Sequence, residues 1–126
     1  MLYAGAASTV ITPPLGLTIQ AATHQNKAQS VRDDLEANVL YLRKGDVQIA
    51  LVSCDLAAIE PTENARFREA AAARSGIPAR SIIFACTHTH GGPVMMPSNR
   101  YNSPDPGYHA ACCAGDVTRP RSVPCW

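Results

Sequence analysis

The sequence predicts an α/β fold built on a mixed sheet, and two patterns predict it. Two apolar runs, Ala37 to Arg43 and Val47 to Ser53, flank the turn residues Lys44-Gly45-Asp46, which is a hairpin signal. A strand, a helix and a second strand then follow within about 40 residues, the spacing of a βαβ crossover. The chain has 126 residues, 46% apolar and 17% charged, so it fits one compact domain and not a disordered tail.

Taken in order, Gly5 to Thr12 reads as a first strand, closed by Pro13-Pro14-Leu15-Gly16 because proline has no N–H to give a ladder. Residues 16–32 are polar and aperiodic, contain His24-Gln25-Asn26, and read as a long loop of the kind that is often functional in a compact domain. In the second arm of the hairpin Val47, Ile49, Leu51 and Ser53 alternate with Gln48, Ala50, Val52 and Cys54. Both faces of that strand are mostly apolar, which places it centrally in its sheet. Pro61 and Thr62 open a helix that runs through Glu63 to Ser75, with Phe67, Ala70 and Ala71 on one face. Gly76 ends it in a left-handed cap and Pro78 prevents resumption. Ser81 to Cys86 is a buried strand by its length and β-branching.

The crossover rule makes the strands at Val47 to Ser53 and Ser81 to Cys86 parallel. Residues just beyond their carboxyl ends then share one rim, where open α/β sheets bind ligands. Asp55 follows the first of these strands, and Thr87-His88-Thr89-His90-Gly91-Gly92-Pro93 follows the second. The chemistry of the chain is expected on that rim.

Composition narrows the classes of function. Eleven Lys and Arg against ten Asp and Glu give a net charge of +1, which leaves no basic surface for nucleic acid or anionic lipid. No apolar run approaches the roughly 20 residues that span a bilayer. Met1-Leu2-Tyr3-Ala4 lacks the basic start and apolar stretch of a signal peptide, so the chain reads as soluble. Of the five cysteines, Cys54 and Cys86 lie in apolar runs as small buried hydrophobes. Cys112, Cys113 and Cys125 have no zinc-ribbon spacing, and a reduced setting is favoured over a disulfide framework.

Two histidines at i and i+2 on extended backbone project to one side, so His88 and His90 can reach one metal ion or one substrate. The alternative is a pair of surface or hydrogen-bonded histidines. Gly91 and Gly92 let backbone N–H groups approach a ligand, and Pro93 stiffens the exit. Asp55 has three readings that the sequence leaves open: a metal ligand, a carboxylate that orients a histidine, or a cap on the following helix. His24 either folds over the rim or stands in solvent. Asp33 and Asp34 are adjacent on extended backbone and point opposite ways, so at most one of them faces any site.

Several segments together resemble the amino-terminal part of the neutral/alkaline non-lysosomal ceramidase family. They are Ala7-x-x-x-Ile11-Thr12-Pro13-Pro14-Leu15-Gly16, Asp33-Asp34-Leu35-Glu36-Ala37, Ala50-Leu51-Val52-Ser53-Cys54-Asp55-Leu56, the helix end Ser75-Gly76-Ile77-Pro78, and Thr87-His88-Thr89-His90-Gly91-Gly92-Pro93. They occur in the family's order over residues 4 to about 95.

The resemblance implies a zinc-dependent amidohydrolase that cleaves the N-acyl bond of ceramide or a related lipid amide. It implies that His88 is the first zinc-ligating histidine and that His90 contacts substrate near the metal. His90 and Asp55 are therefore the candidate catalytic residues, His88 the candidate zinc ligand, and Gly91 and Gly92 the candidate substrate-binding residues. Gly91 stands where the family has Ser, and Ser53-Cys54-Asp55 matches a Ser-x-Asp of unassigned role. The family's later ligands, a His, a Glu and a Tyr, and its Gly-Asp-Val-Ser-Pro segment have no counterparts; Gly115-Asp116-Val117-Thr118 lies too close behind His90 and carries Thr for Ser.

On this reading residues 1–109 are the amino-terminal part of a larger catalytic domain, a fragment inactive alone. Residues 110–126 are an irregular tail, of the kind that a frameshift or truncation leaves, although a helix is expected where Ala110-Ala111-Cys112-Cys113 stands. Two other readings remain: an unrelated metallohydrolase completed by the HxH pair and Asp55, and a non-catalytic interaction module that kept the fold.

Overall fold

The structure, a computed structural model, describes residues 1–20, 27–96 and 103–114. Four strands form one sheet in the order β1-β2-β3-β4: β1 (Leu2–Val10), β2 (Glu36–Lys44), β3 (Val47–Cys54) and β4 (Ile82–Cys86). The first two pairings are antiparallel and the third is parallel. The mixed α/β sheet, the hairpin and the crossover are thus as the sequence predicts. β3 lies inside the sheet, and β4 is its direct parallel neighbour, with Ala50 opposite Ile82 and Cys54 opposite Cys86. β1 starts earlier than the sequence indicates because Leu2, Tyr3 and Ala4 pair with Lys44, Arg43 and Leu42.

Helix α1 (Pro61–Ser75) carries the crossover. Its start is fixed by Glu60, whose carboxylate accepts from Thr62 N at 2.8 Å and Glu63 N at 3.3 Å, with Pro61 in the first turn. Gly76 ends it at φ 73°, a left-handed conformation that costs glycine nothing, and its N–H returns to Ala72 O. Phe67 is buried and packs 6.1 Å from Phe84 of β4, centroid to centroid.

The sheet has two unlike faces. Ala50, Val52, Cys54 and Ile82 turn towards α1 and are buried in a core with Ile11, Leu56, Phe67, Ile77, Met95 and Tyr108. On the opposite face Leu40, Leu51 and Ile83 lie in register across β2, β3 and β4 and remain 42%, 38% and 48% exposed.

The expectation of an irregular segment from residue 110 does not hold for residues 110–114, which complete a second helix, α2 (Pro106–Ala114). Asp105 precedes it and accepts from Tyr108 N at 2.8 Å through its carboxylate, while Pro106 takes the first helical position, where no N–H is needed. Tyr108 is buried and donates its hydroxyl to the Ile11 carbonyl, and Cys112 and Cys113 pack against the core. His109 Nδ1 stands 3.2 Å from Glu63 Oε2 of α1. Residues 115–126, with Gly115-Asp116-Val117-Thr118 and Cys125, lie outside the described residues, as does His24.

Burial pushes the Cys54 thiol from 9.0 up to about 12, helped by the neighbouring Cys86 and Cys112, and it pushes Cys112 up to about 11. These thiols stay protonated in the folded chain at pH values where the unfolded chain loses the protons. The folded state then binds more protons, so stability is fully present below pH 9 and falls as pH rises above it. Urea titrations at pH 8 and pH 10 should show the fall, and Cys54→Ala should reduce it. Tyr108→Phe should cost about 1 kcal/mol through the lost hydrogen bond. Tyr108→Ala should cost roughly 3 kcal/mol through the cavity, which denaturant midpoints will report.

Candidate functional site

The carboxyl ends of β3 and β4 bring residues 54–57 alongside residues 87–88. Thr87 N donates to Cys54 O at 3.0 Å and His88 N to Leu56 O at 3.0 Å. The His88 ring meets the next carbonyl, with Nδ1 2.8 Å from Ala57 O. A carbonyl only accepts, so Nδ1 carries the hydrogen and Nε2 keeps a free lone pair. That is the tautomer of a histidine able to ligate a metal through Nε2. His88 pays for this placement with a φ of 65°, the one positive φ of a non-glycine among the described residues. Histidine enters this region more readily than branched residues do.

His88 is therefore not on extended backbone, and the i, i+2 argument is not what unites the pair. The two rings nonetheless meet, with centroids 5.1 Å apart at 71°, edge to face. Both histidines are exposed at the rim.

Asp55 holds the same rim from behind. Its N–H donates to Glu36 O, one carboxylate oxygen accepts from Glu36 N at 2.9 Å, and the other accepts from Thr87 Oγ1 at 3.1 Å. Each oxygen is thus engaged with the ends of β2 and β4. The orienting partner of His88 is the Ala57 carbonyl rather than Asp55, and the cap on α1 is Glu60.

Gly91 is exposed beside the histidines, and its N–H donates to Thr89 Oγ1 at 3.2 Å. Gly92 is buried, and a Cβ built there would lie 3.2 Å from Asp55 O and 3.4 Å from Thr89 Cγ2, so any side chain would require the Asp55 backbone to give by a few tenths of an ångström. Its carbonyl accepts from Gln20 N at 2.7 Å, and Val94 N donates to Thr18 O at 3.3 Å. The loop after β1 is in this way stitched to the segment after the histidines. Asp33 and Asp34 diverge as expected: Asp33 meets Arg32 at the surface, and Asp34 accepts from buried Thr12 at 2.7 Å.

The sequence reading missed the Ala57 carbonyl and the Thr87 hydroxyl. A backbone acceptor leaves no mark in residue identity, whereas Thr87, facing Asp55 across two parallel strand ends, was open to inference from the register.

The donor set fits zinc in part. His88 presents a correctly held Nε2 with a second imidazole beside it, but zinc takes about three protein ligands in a hydrolytic site. Among the described residues no group of three His, Cys, Asp or Glu side chains is placed to share a metal.

No protein-family model matches the sequence, and no curated protein matches it. Solved structures do match. The neutral ceramidase from Pseudomonas aeruginosa aligns with a TM-score of 0.78 and 18% identity over 92% of this chain and 20% of that one. A ceramidase complexed with C2 aligns with a TM-score of 0.69 and 17% identity, again over 92% and 20%. The chain has the fold of a portion of these larger proteins and spans about a fifth of their length.

The two glycines should respond differently to substitution. Gly92→Ala should cost about 1–3 kcal/mol, because backbone and not a flexible side-chain end must give way. Gly91→Ala meets Thr89 only at 3.7 Å and should stay within about 0.5 kcal/mol. Thermal or urea midpoints of the two variants test the contrast.

Proposed function

We propose that the chain is the amino-terminal part of a ceramidase-like zinc amidohydrolase that cleaves the N-acyl amide of ceramide or a related lipid. The observation that carries this reading is the His88 ring, held by the Ala57 carbonyl with Nε2 free, beside His90 at the rim of a sheet shaped like that of the neutral ceramidases. His88 would hold the zinc, and His90 would face the substrate beside it. Zinc bound in such a site lowers the pKa of its water and polarises an amide carbonyl.

The other named residues serve these two. Asp55 and Thr87 lock the strand ends that carry His88, and Gly92 lets that segment pack on the backbone of Asp55. Gly91, exposed next to His90, is the glycine available to a substrate. Because no third His, Cys, Asp or Glu among the described residues is placed to complete a site, further ligands would come from residues beyond those described. The outer sheet face supports the same reading. Leu40, Leu51 and Ile83 form an exposed apolar row across β2, β3 and β4, of the kind that a further layer would cover. The chain's charge of +1 offers no basic surface for nucleic acid.

The test is metal binding by the purified chain, followed with cobalt(II) absorption and zinc content after dialysis. Binding should be weaker than that of a three-ligand site, lost in His88→Ala and reduced in His90→Ala. Asp55→Asn should retain the metal but melt earlier. An N-acyl sphingosine should not be hydrolysed measurably by the 126-residue chain. Metal binding that survives His88→Ala would refute the assignment of the ligand.

A further inference from the structure

A cavity of about 420 Å³ lies on the inner face of the sheet and is partly open to solvent; Cys54 and Leu56 of its lining adjoin the histidine rim, but neither histidine lines it. Its walls come from five elements: Val10 at the end of β1, Val39 of β2, Phe84 of β4, Phe67 and Ala71 of α1, and Cys112 of α2. The size is that of a site for a small ligand, which runs from about 300 to 1,000 Å³.

The lining offers an occupant almost no hydrogen bonds. The strand amides lie in the plane of the sheet and not on the face that lines it, and the lining side chains are apolar apart from Thr9, Arg74 and the cysteines. Burial also keeps the Cys54 and Cys112 thiols neutral. A peptide segment laid here would bury backbone N–H and C=O groups without partners, at a cost of about 1–3 kcal/mol for each group. An alkyl chain has no such groups.

One charged residue lines the cavity. Arg74 sits in the last turn of α1, its side chain is exposed, and it makes no ion pair among the described residues. It is thus the one lining residue that joins an apolar slot to solvent with a charge, and guanidinium favours carboxylate.

We infer that this cavity is a binding site for a single-chain fatty carboxylate, with the alkyl chain between the sheet and α1 and the head group on Arg74. The site is separate from the histidine pair and needs neither zinc nor hydrolysis, so it stands or falls independently of the amidohydrolase reading.

Binding of cis-parinarate to the full chain, read by its fluorescence, tests the inference. A saturable signal should appear, and tetradecanoate should displace the probe at least tenfold more effectively than tetradecan-1-ol does. Arg74→Glu, a surface change that leaves the core intact, should weaken tetradecanoate at least tenfold and leave tetradecan-1-ol unchanged. Ala71→Phe should abolish binding of both, with circular dichroism confirming that the variant is folded. If that variant unfolds, Ala70→Phe replaces it in the same slot. No saturable binding, equal displacement by acid and alcohol, or indifference to Arg74→Glu would each overturn the proposal. So would sedimentation showing a dimer that dissociates on Ala71→Phe, since a second copy would then be the occupant.

Discussion

Past Cys54 and Cys86 the parallel strands cease to be a ladder but go on exchanging hydrogen bonds, through Thr87 to Cys54, His88 to Leu56, and the His88 ring to Ala57. Everything chemical in the chain depends on this continuation. Parallel pairing fixes the direction in which both strands leave the sheet, and the carbonyls of residues 54–57 then act as a template along which the next strand is laid. The template sets the backbone of His88 in a left-handed conformation that it would otherwise avoid at a cost of about 1–3 kcal/mol. It also selects which ring nitrogen carries the hydrogen. Two bonds from Asp55 brace the template against β2 and β4, so the imidazole is held from three strands at once.

The same topology explains which face of the sheet is covered and which is open. α1 is long enough to return the chain from β3 to β4, and in doing so it covers the inner face of these two strands with Phe67. α2 then closes the gap above Ile11 with Tyr108. β1 remains exposed along nearly its whole length, and the outer face carries a row of leucine and isoleucine side chains. Core and open face are consequences of one geometry, because a single crossover helix can cover only one side of a sheet.

Much of this was legible in the residues. Hairpin and crossover follow from period and punctuation: Lys44-Gly45-Asp46 between apolar runs, then Pro61 and Gly76 bracketing a run of helix formers. The rim was legible too, since parallel pairing forces Asp55 and Thr87 to Gly92 together. What residue identity could not convey was who holds whom. Asp55 looked like a partner for His88 because carboxylates orient histidines, yet a backbone carbonyl two residues on lies nearer the ring, and backbone acceptors are the same at every position. The outer face misled in the other direction. Leu51 and Ile83 read as core because they are apolar, but burial depends on what stands opposite, and among the described residues nothing does.

The second helix shows how local signals outrank composition. Cys112, Cys113 and the prolines nearby carry no amphipathic period, and judged on period alone the segment is irregular. Yet Ser103-Pro104-Asp105-Pro106 contains a strong start signal: an aspartate able to cap, followed by a proline in the one place where a helix tolerates it. Once the first turn is fixed, Tyr108 has only to meet the carbonyl that β1 leaves unpaired at Ile11. That bond joins residues 97 positions apart and closes the core. Period matters for a helix that must find its face against a broad surface. A helix of nine residues anchored by one cap and one buried tyrosine has its orientation decided by those two contacts, and the cysteines that follow are buried because of where Tyr108 puts them.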